Sequence, residues 1–311
     1  MGQSSRRRRR SMGQSRHRMG QSRKCLGQPV LGRTNVTNAI TYNIPASLVA
    51  AFRGRKVIVR AADPSEIVDR LAVETLGDIS YIRLLSLDGE IDRLMAWGDE
   101  VPVELSVSDP HRDLPLLYRY APLLAGHPIR VSVPLVPGFS NVVKLAVSLN
   151  FAVKMDGGQP KESLADEMQR IAGFYLHQTT VSEPIEFFHS LFLAFYHQDP
   201  VNLWTIQEED PSLFRYITDR GEETMPGRLA GVVDNQGFTT FVRVLRNGLA
   251  AEEGECSGCE FLIYCMGYFK WPDREYRCDT VKALLHTLLS AAGELRSDIA
   301  SCQSLGGGER T

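Results

Sequence analysis

Residues 101–154 read VPVELSVSDPHRDLPLLYRYAPLLAGHPIRVSVPLVPGFSNVVKLAVSLNFAVK and contain three short β-rich runs, Val101–Val107, Pro128–Pro134 and Leu149–Lys154. Each interval between runs has room for one helix and two loops. Strands that alternate with helices at this spacing are typical of parallel strands joined by right-handed crossovers. This stretch therefore predicts an α/β fold built on a parallel sheet.

The same alternation extends in both directions along the chain. Lys56–Arg60 and Tyr81–Leu85 read as strands upstream, and Val201–Ile206 reads as one downstream. About six β/α units predict a partial TIM-like (β/α) barrel over residues 41–225, with a doubly wound open sheet as the alternative. Neither G-x-G-x-x-G after a strand nor G-x4-G-K-[ST] occurs, so the loops that hold phosphates in common nucleotide-binding folds are missing.

Two helix starts carry capping signals. Asp63-Pro64-Ser65-Glu66 has a capping residue, a first-turn proline and an acidic residue in the first turn, which predicts a helix through Leu76. Asp279 precedes an apolar stripe that includes Val281, Leu288 and Ile299, which predicts a second, long helix.

After residue 210 the pattern changes. Gly237–Leu245 reads as a strand and Asn247-Gly248 as a turn, and four cysteines follow. This arrangement predicts a small C-terminal domain over residues 226–305, built around a metal centre and docked on the barrel.

The four cysteines are Cys256, Cys259, Cys265 and Cys278, spaced C-x2-C-x5-C-x12-C. Four thiolates suit either a tetrahedral zinc ion or an iron–sulfur cluster. Structural zinc sites often use two tight C-x2-C pairs, whereas this chain has one. Clusters are larger and accept looser spacing, and apolar residues crowd this segment, so the residues favour iron–sulfur and leave zinc as the alternative.

Residues 250–300 resemble a SPASM domain. The resemblance rests on Cys256-x2-Cys259-x5-Cys265-x-Gly267, on Tyr268–Asp273 and on Tyr276-Arg277-Cys278. SPASM domains lie at the C-terminus of many radical S-adenosylmethionine (SAM) enzymes that modify ribosomal peptides, and they bind auxiliary 4Fe-4S clusters. The resemblance implies one 4Fe-4S cluster held by the four cysteines, with Cys302 as an alternative to Cys278.

Two departures from that family limit what the chain can do. No cysteine lies between Cys25 and Cys256, so the C-x3-C-x2-C motif that binds the SAM-cleaving cluster is absent. The G-x4-C element expected upstream of Cys256 is also absent. The chain is therefore similar to the SPASM domain protein of GeoRSP peptide-modification systems. This resemblance implies a non-catalytic partner of a radical SAM/SPASM maturase, acting with a precursor peptide or its chaperone.

The first 40 residues differ in composition from the rest. They repeat Met-Gly-Gln-Ser three times, hold ten of the 35 Lys and Arg and no Asp or Glu, and leave 25 basic against 37 acidic side chains elsewhere. We expect a disordered basic tail, which leaves open whether translation starts further downstream. The acidic body argues against nucleic acid as a ligand, and no apolar run is long enough to span a membrane. Six cysteines without an export signal predict a cytoplasmic protein.

Two other functions remain open from the residues. The cysteines could hold a zinc ion that stabilises a binding module. The barrel could instead be an enzyme that uses carboxylates at the carboxyl ends of its strands, where Asp109 and Asp156 follow β-rich runs.

Overall fold

A mostly parallel sheet organises the part of the chain that the computed structural model describes, residues 40–71, 77–98, 100–230 and 240–306. Nine strands occur in these ranges: β1 (Thr41–Pro45), β2 (Val57–Ala61), β3 (Ile79–Leu84), β4 (Val103–Ser106), β5 (Ile129–Pro134), β6 (Ala152–Asp156), β7 (Ile185–Glu186), β8 (Phe214–Ile217) and β9 (Glu223–Thr224). Their order across the sheet is β7-β6-β5-β4-β3-β2-β1-β8-β9. All pairs are parallel except β8 with β9. The predicted α/β class with a parallel sheet is confirmed at this level.

Helices follow most of the strands. Within the described ranges they are α1 (Pro64–Arg70), α2 (Asp92–Met95), α3 (Pro110–Asp113), α4 (Phe139–Ser148), α5 (Ala165–His177), α6 (Phe188–His197), α7 (Leu203–Ile206), α8 (Phe241–Ala251), α9 (Leu262–Cys265) and α10 (Asp279–Gly306). Shorter 3-10 segments, such as Leu114–Ala125 between α3 and β5, complete the connections. The 28-residue α10 packs along α5 and α6.

The five strands predicted between residues 56 and 154 are confirmed as β2 to β6. The predicted helix start at Asp63 is also confirmed, because the Asp63 side chain accepts a hydrogen bond from the Ser65 N–H at 2.8 Å. That helix ends at Arg70, and residues 72–76 of the predicted helix lie outside the described residues.

Two predicted strands are helical. Val201–Ile206 contains α7, because the Asn202 side chain accepts a hydrogen bond from the Trp204 N–H and starts a helical turn. The described part of Gly237–Leu245 lies in α8, where Val242, Leu245 and Leu249 are buried on one helical face. Both runs are rich in β-branched and aromatic residues, which favour strands, but in the structure they form helices.

The order of the sheet places the ends of many strands together. Strands β1 to β7 are neighbours in chain order, and β8 lies beside β1. Because β1 to β8 are parallel, their carboxyl ends lie at the same edge of the sheet. The loops that follow these strands are where sequence-distant polar side chains can meet.

The cysteine-containing segment packs on this framework. Trp204 donates its indole N–H to the Met266 carbonyl oxygen at 3.2 Å, and the Phe195 and Tyr264 rings lie 4.7 Å apart. All described residues belong to one compact unit, Asn38–Thr311. The predicted boundary at residue 225 stays a prediction. The predicted tail lies outside the described residues up to residue 39, and none of the described helices could cross a membrane.

Candidate metal centre and strand-end cleft

The structure brings the four predicted ligands together. Cys256, Cys259, Cys265 and Cys278 all line one small cavity of about 20 Å³. None of the four forms a disulfide bond. The cavity is also lined by buried apolar side chains: Phe261, Leu262, Phe269, Val281 and Leu285.

Local backbone structure explains why these thiols converge. Cys256 and Cys259 flank a tight turn closed by a Cys259 N–H to Cys256 carbonyl bond of 3.2 Å. The one-turn helix α9 then places Cys265 at its end, and Gly267 follows with a φ of 80°. This left-handed conformation reverses the chain and suits glycine. Cys278, the residue just before α10, contributes the fourth thiol.

Burial raises the pKa of three of the four thiols and favours their protonated form. It raises the pKa of Cys265 to about 12, and nearby hydrogen bonds from the N–H groups of Gly267 and Tyr268 only partly oppose this effect. It also raises the pKa of Cys278 to about 12 and that of Cys256. Metal binding must therefore displace protons here, which makes affinity dependent on pH.

One carboxylate and two lysines border the cavity. Glu255 accepts hydrogen bonds from Lys270 Nζ at 2.8 Å and from the Cys278 N–H at 3.2 Å, and Lys282 Nζ lies 2.9 Å away. Burial alone would raise the pKa of Glu255, but these hydrogen bonds outweigh it and lower that pKa to about 2. Glu255 thereby fixes two ammonium groups beside the thiols, where they would stabilise negative charge.

Within the described ranges, no group of three or more His, Cys, Asp or Glu side chains is arranged to hold one metal ion. Cys302, the alternative fourth ligand, is exposed on α10, whereas Cys278 lies in the cavity wall.

A second cavity lies where the parallel strands end. It has a volume of about 430 Å³, and it is lined by Ser106 and Asp156, the last residues of β4 and β6, and by Ser132 near the end of β5. Of the two candidate carboxylates, Asp156 is in this wall. Asp109 instead caps α3, where its side chain accepts hydrogen bonds from the His111 and Arg112 N–H groups. A structural role therefore accounts for Asp109.

Beneath the cleft the sheet holds a buried ion network that sequence analysis did not identify. Glu104 is 1% exposed, lies 2.5 Å from Arg83 Nε and contacts Arg130 Nη2. Glu208 lies 2.9 Å from Arg130 and 3.3 Å from Lys154. Burial opposes ionisation of both carboxyls, but the surrounding cations outweigh it and lower the pKa of Glu104 and of Glu208. In the sequence, charged residues alternate with apolar ones in YIRLL, VELS and PIRVSV, and this pattern could have indicated a charged network on the sheet.

Tyr268 connects the cleft and the cysteine cavity. Its backbone N–H points at the Cys265 sulfur, and its ring lines the cleft. The Arg228 guanidinium stacks over this ring at 4.2 Å and donates to the Trp271 carbonyl oxygen.

The functional assignment rests on the chain's own residues. No family model, no curated protein and no solved structure matches the chain. The resemblance to SPASM domain proteins accordingly rests on the cysteine spacing and its neighbours, and it stays a prediction.

Proposed function

We propose that this chain binds one 4Fe-4S cluster through Cys256, Cys259, Cys265 and Cys278. In this proposal it is an accessory protein of a radical SAM/SPASM system that modifies a ribosomal peptide, and it does not itself cleave SAM. The observation that carries the proposal is that four cysteines spread over 23 residues of sequence line one cavity as free thiols.

The spacing of the cysteines favours a cluster over a zinc ion. Structural zinc sites often use two tight C-x2-C pairs, whereas this chain has one. Ligands around a cluster are further apart because each binds a different iron, and all four thiols line the same cavity.

The surrounding residues fit the same group. The four thiols supply the complete ligand set of a 4Fe-4S cluster. N–H groups of Gly267 and Tyr268 point at the Cys265 sulfur, and hydrogen bonds to sulfur are one of the factors that tune cluster potentials. Lys270 and Lys282 offset the negative charge of thiolates, while the apolar wall excludes water. When bound, the cluster would supply either structural cross-linking or one-electron transfer.

Two observations support the accessory role: the missing motif for a SAM-cleaving cluster and the order of the strands in the sheet. The C-x3-C-x2-C motif is absent, so no second cluster is available to bind SAM. Strands in chain order with β8 beside β1 support a partial TIM-like barrel, as in radical SAM enzymes. We infer that this barrel, residues 41–225, contacts the maturase or its precursor peptide, and that residues 226–305 form the cluster-binding SPASM-like part.

The decisive experiment is anaerobic purification of the full chain, followed by iron, sulfide and zinc analysis and an absorption spectrum. We expect about four irons and four sulfides per chain and a broad visible absorption that decreases on reduction. One zinc per chain without colour, or no metal after anaerobic reconstitution with iron and sulfide, would overturn the proposal.

A further inference from the structure

The strand-end cleft has the position and size of a small-molecule site. Its volume of about 430 Å³ falls within the range of about 300–1,000 Å³ that is typical of ligand pockets. It lies at the carboxyl ends of parallel strands, where α/β proteins bind ligands. Its walls combine apolar groups, including Leu85, Phe214 and Tyr268, with charged ones of both signs.

Asp156 presents an oriented negative charge to this cleft. Ser132 Oγ donates a hydrogen bond to Asp156 Oδ2, and Lys154 Nζ lies 3.2 Å from Oδ1. The Asp156 side chain nevertheless remains 45% exposed, whereas that of Lys154 is 5% exposed. The carboxylate is thus fixed by its neighbours and still has lone pairs available to a ligand that donates hydrogen bonds.

Arg228, which is itself paired with Glu209 at 3.1 Å, presents the opposite charge in the same cleft. The glycines after Asp156 make room for it, because a Cβ atom on Gly158 would lie 1.7 Å from Arg228 Nη1. Stacking on Tyr268 and bonds to the Tyr268 and Trp271 carbonyl oxygens hold the guanidinium in place. The sequence Asp156-Gly157-Gly158 is therefore explained by the close approach of a cation to the loop that carries the carboxylate.

The charges of the site balance before any ligand arrives. Three cations of the network face three carboxylates, and two further pairs complete the site: Arg83, Arg130 and Lys154 with Glu104, Glu208 and Asp156, then Arg228 with Glu209 and Arg215 with Glu223. A ligand with a net charge would leave one charge uncompensated in a partly buried site, which is unfavourable. A molecule with one positive and one negative group keeps the balance.

We propose that the cleft binds a zwitterionic molecule of the amino-acid class with an apolar side chain. Its ammonium group contacts Asp156, its carboxylate contacts Arg228, and its side chain lies against the aromatic wall that includes Tyr268. This site is separate from the metal centre, and its ligand does not depend on which metal the cysteines hold.

The test is isothermal titration calorimetry of the full chain, purified anaerobically, with L-leucine and L-phenylalanine. N-acetyl-L-phenylalanine, which lacks the ammonium charge, and L-phenylalaninamide, which lacks the carboxylate, serve as matched probes. We expect at least one free amino acid to bind with a Kd below about 1 mM. Each blocked form should bind about tenfold more weakly or worse, because it loses one charge-assisted hydrogen bond.

The variant Asp156→Asn assigns the ammonium contact. It preserves the shape of the side chain and removes its charge, so L-phenylalanine and its N-acetyl form should bind within about twofold of each other. If neither free amino acid binds the unmodified chain, or if the blocked forms bind equally well, the proposal is wrong. The comparison of probes on the unmodified chain decides this even if the variant does not fold.

Discussion

Two groups of polar side chains lie on either side of Tyr268, and they differ in whether other side chains of the protein balance their charge. In the sheet, Glu104 and Glu208 are surrounded by cations that keep both carboxyls ionised. In the C-terminal segment, burial keeps Cys265 and Cys278 protonated, and the positive charges nearby are bound to Glu255. The first group is satisfied by the chain alone, whereas the second is not.

This difference suits the proposed function, in which the ion network serves stability and the thiols hold a metal. A buried ion network that is fully paired fixes the relative positions of β3, β4, β5 and β6 without any ligand. Four thiols in one cavity gain little from one another, and their convergence becomes favourable when a metal replaces their protons. The contrast can be tested by removing one member from each group.

The largest effect is expected from the cysteines. Cys256→Ser or Cys265→Ser should remove most of the iron of the proposed cluster, because each deletes one of its four proposed thiolate ligands. The segment around α9 should then lose protection against proteolysis, since metal binding and folding are coupled. Iron and sulfide analysis together with limited proteolysis would measure both effects.

Cys302→Ser is the matched control for these variants. Cys302 is exposed on α10, so its loss should leave iron content unchanged. If Cys302→Ser lost iron while Cys278→Ser kept it, the assignment of the fourth ligand would be wrong.

The next effect is expected from Glu104→Gln. This change leaves Arg83 and Arg130 facing a neutral group in a site where Glu104 is 1% exposed. Breaking a buried ion pair by removing one partner costs about 3–5 kcal/mol in free energy of unfolding, and we expect the lower end of this range because Glu208 still pairs with both arginines. Urea denaturation would measure it, and iron content should not change.

Glu252→Gln is the control for the network. Glu252 is 55% exposed and pairs with Arg274 at the surface, so its loss should change the free energy of unfolding by less than about 1 kcal/mol. Equal effects of the two substitutions would show that the buried network contributes no more than a surface pair.

Acid should weaken the network in a predictable direction. The pKa values of Glu104 and Glu208 are lowered in the folded chain, whereas an unfolded glutamate titrates at about 4.3. The stabilisation is therefore complete above about pH 5 and is lost as the pH falls toward the folded values. Denaturation at a series of pH values should show a shallower acid dependence for Glu104→Gln; an unchanged dependence would contradict the lowered pKa of Glu104.

The same contrast explains what could be predicted from the sequence. Strands β2 to β6 and the four cysteines were identified because their signals are local, in the alternation of residues and in fixed spacing. The ion network was missed because Glu208 comes from a loop 104 residues after Glu104 and meets it only through the sheet order. Strand β8 was missed for a similar reason, since its FRYI sequence becomes a strand by pairing with β1.

Runs of apolar residues were the other source of error. Val201–Ile206 and the described part of Gly237–Leu245 contain β-branched and aromatic residues, but they form α7 and α8. Short apolar runs do not distinguish a buried strand from a buried helical face, and here a capping side chain and packing decided the outcome. Asp109 was proposed as a catalytic carboxylate and serves as a helix cap, the commoner role of an Asp before a proline.

The smallest predicted effect concerns the glycine between the two regions. Gly267 has a φ of 80°, and a Cβ atom added there would lie 2.7 Å from Leu249 Cδ1. Gly267→Ala should therefore lower the free energy of unfolding by about 1–3 kcal/mol and displace the N–H groups that point at Cys265, which should speed loss of iron to a chelator. Gly173→Ala, in the interior of α5 with no atom within 4 Å of the added Cβ, should instead stabilise the chain by about 0.5–1 kcal/mol and leave iron release unchanged. Equal rates of iron release in the two variants would show that the backbone at Gly267 does not support the metal centre.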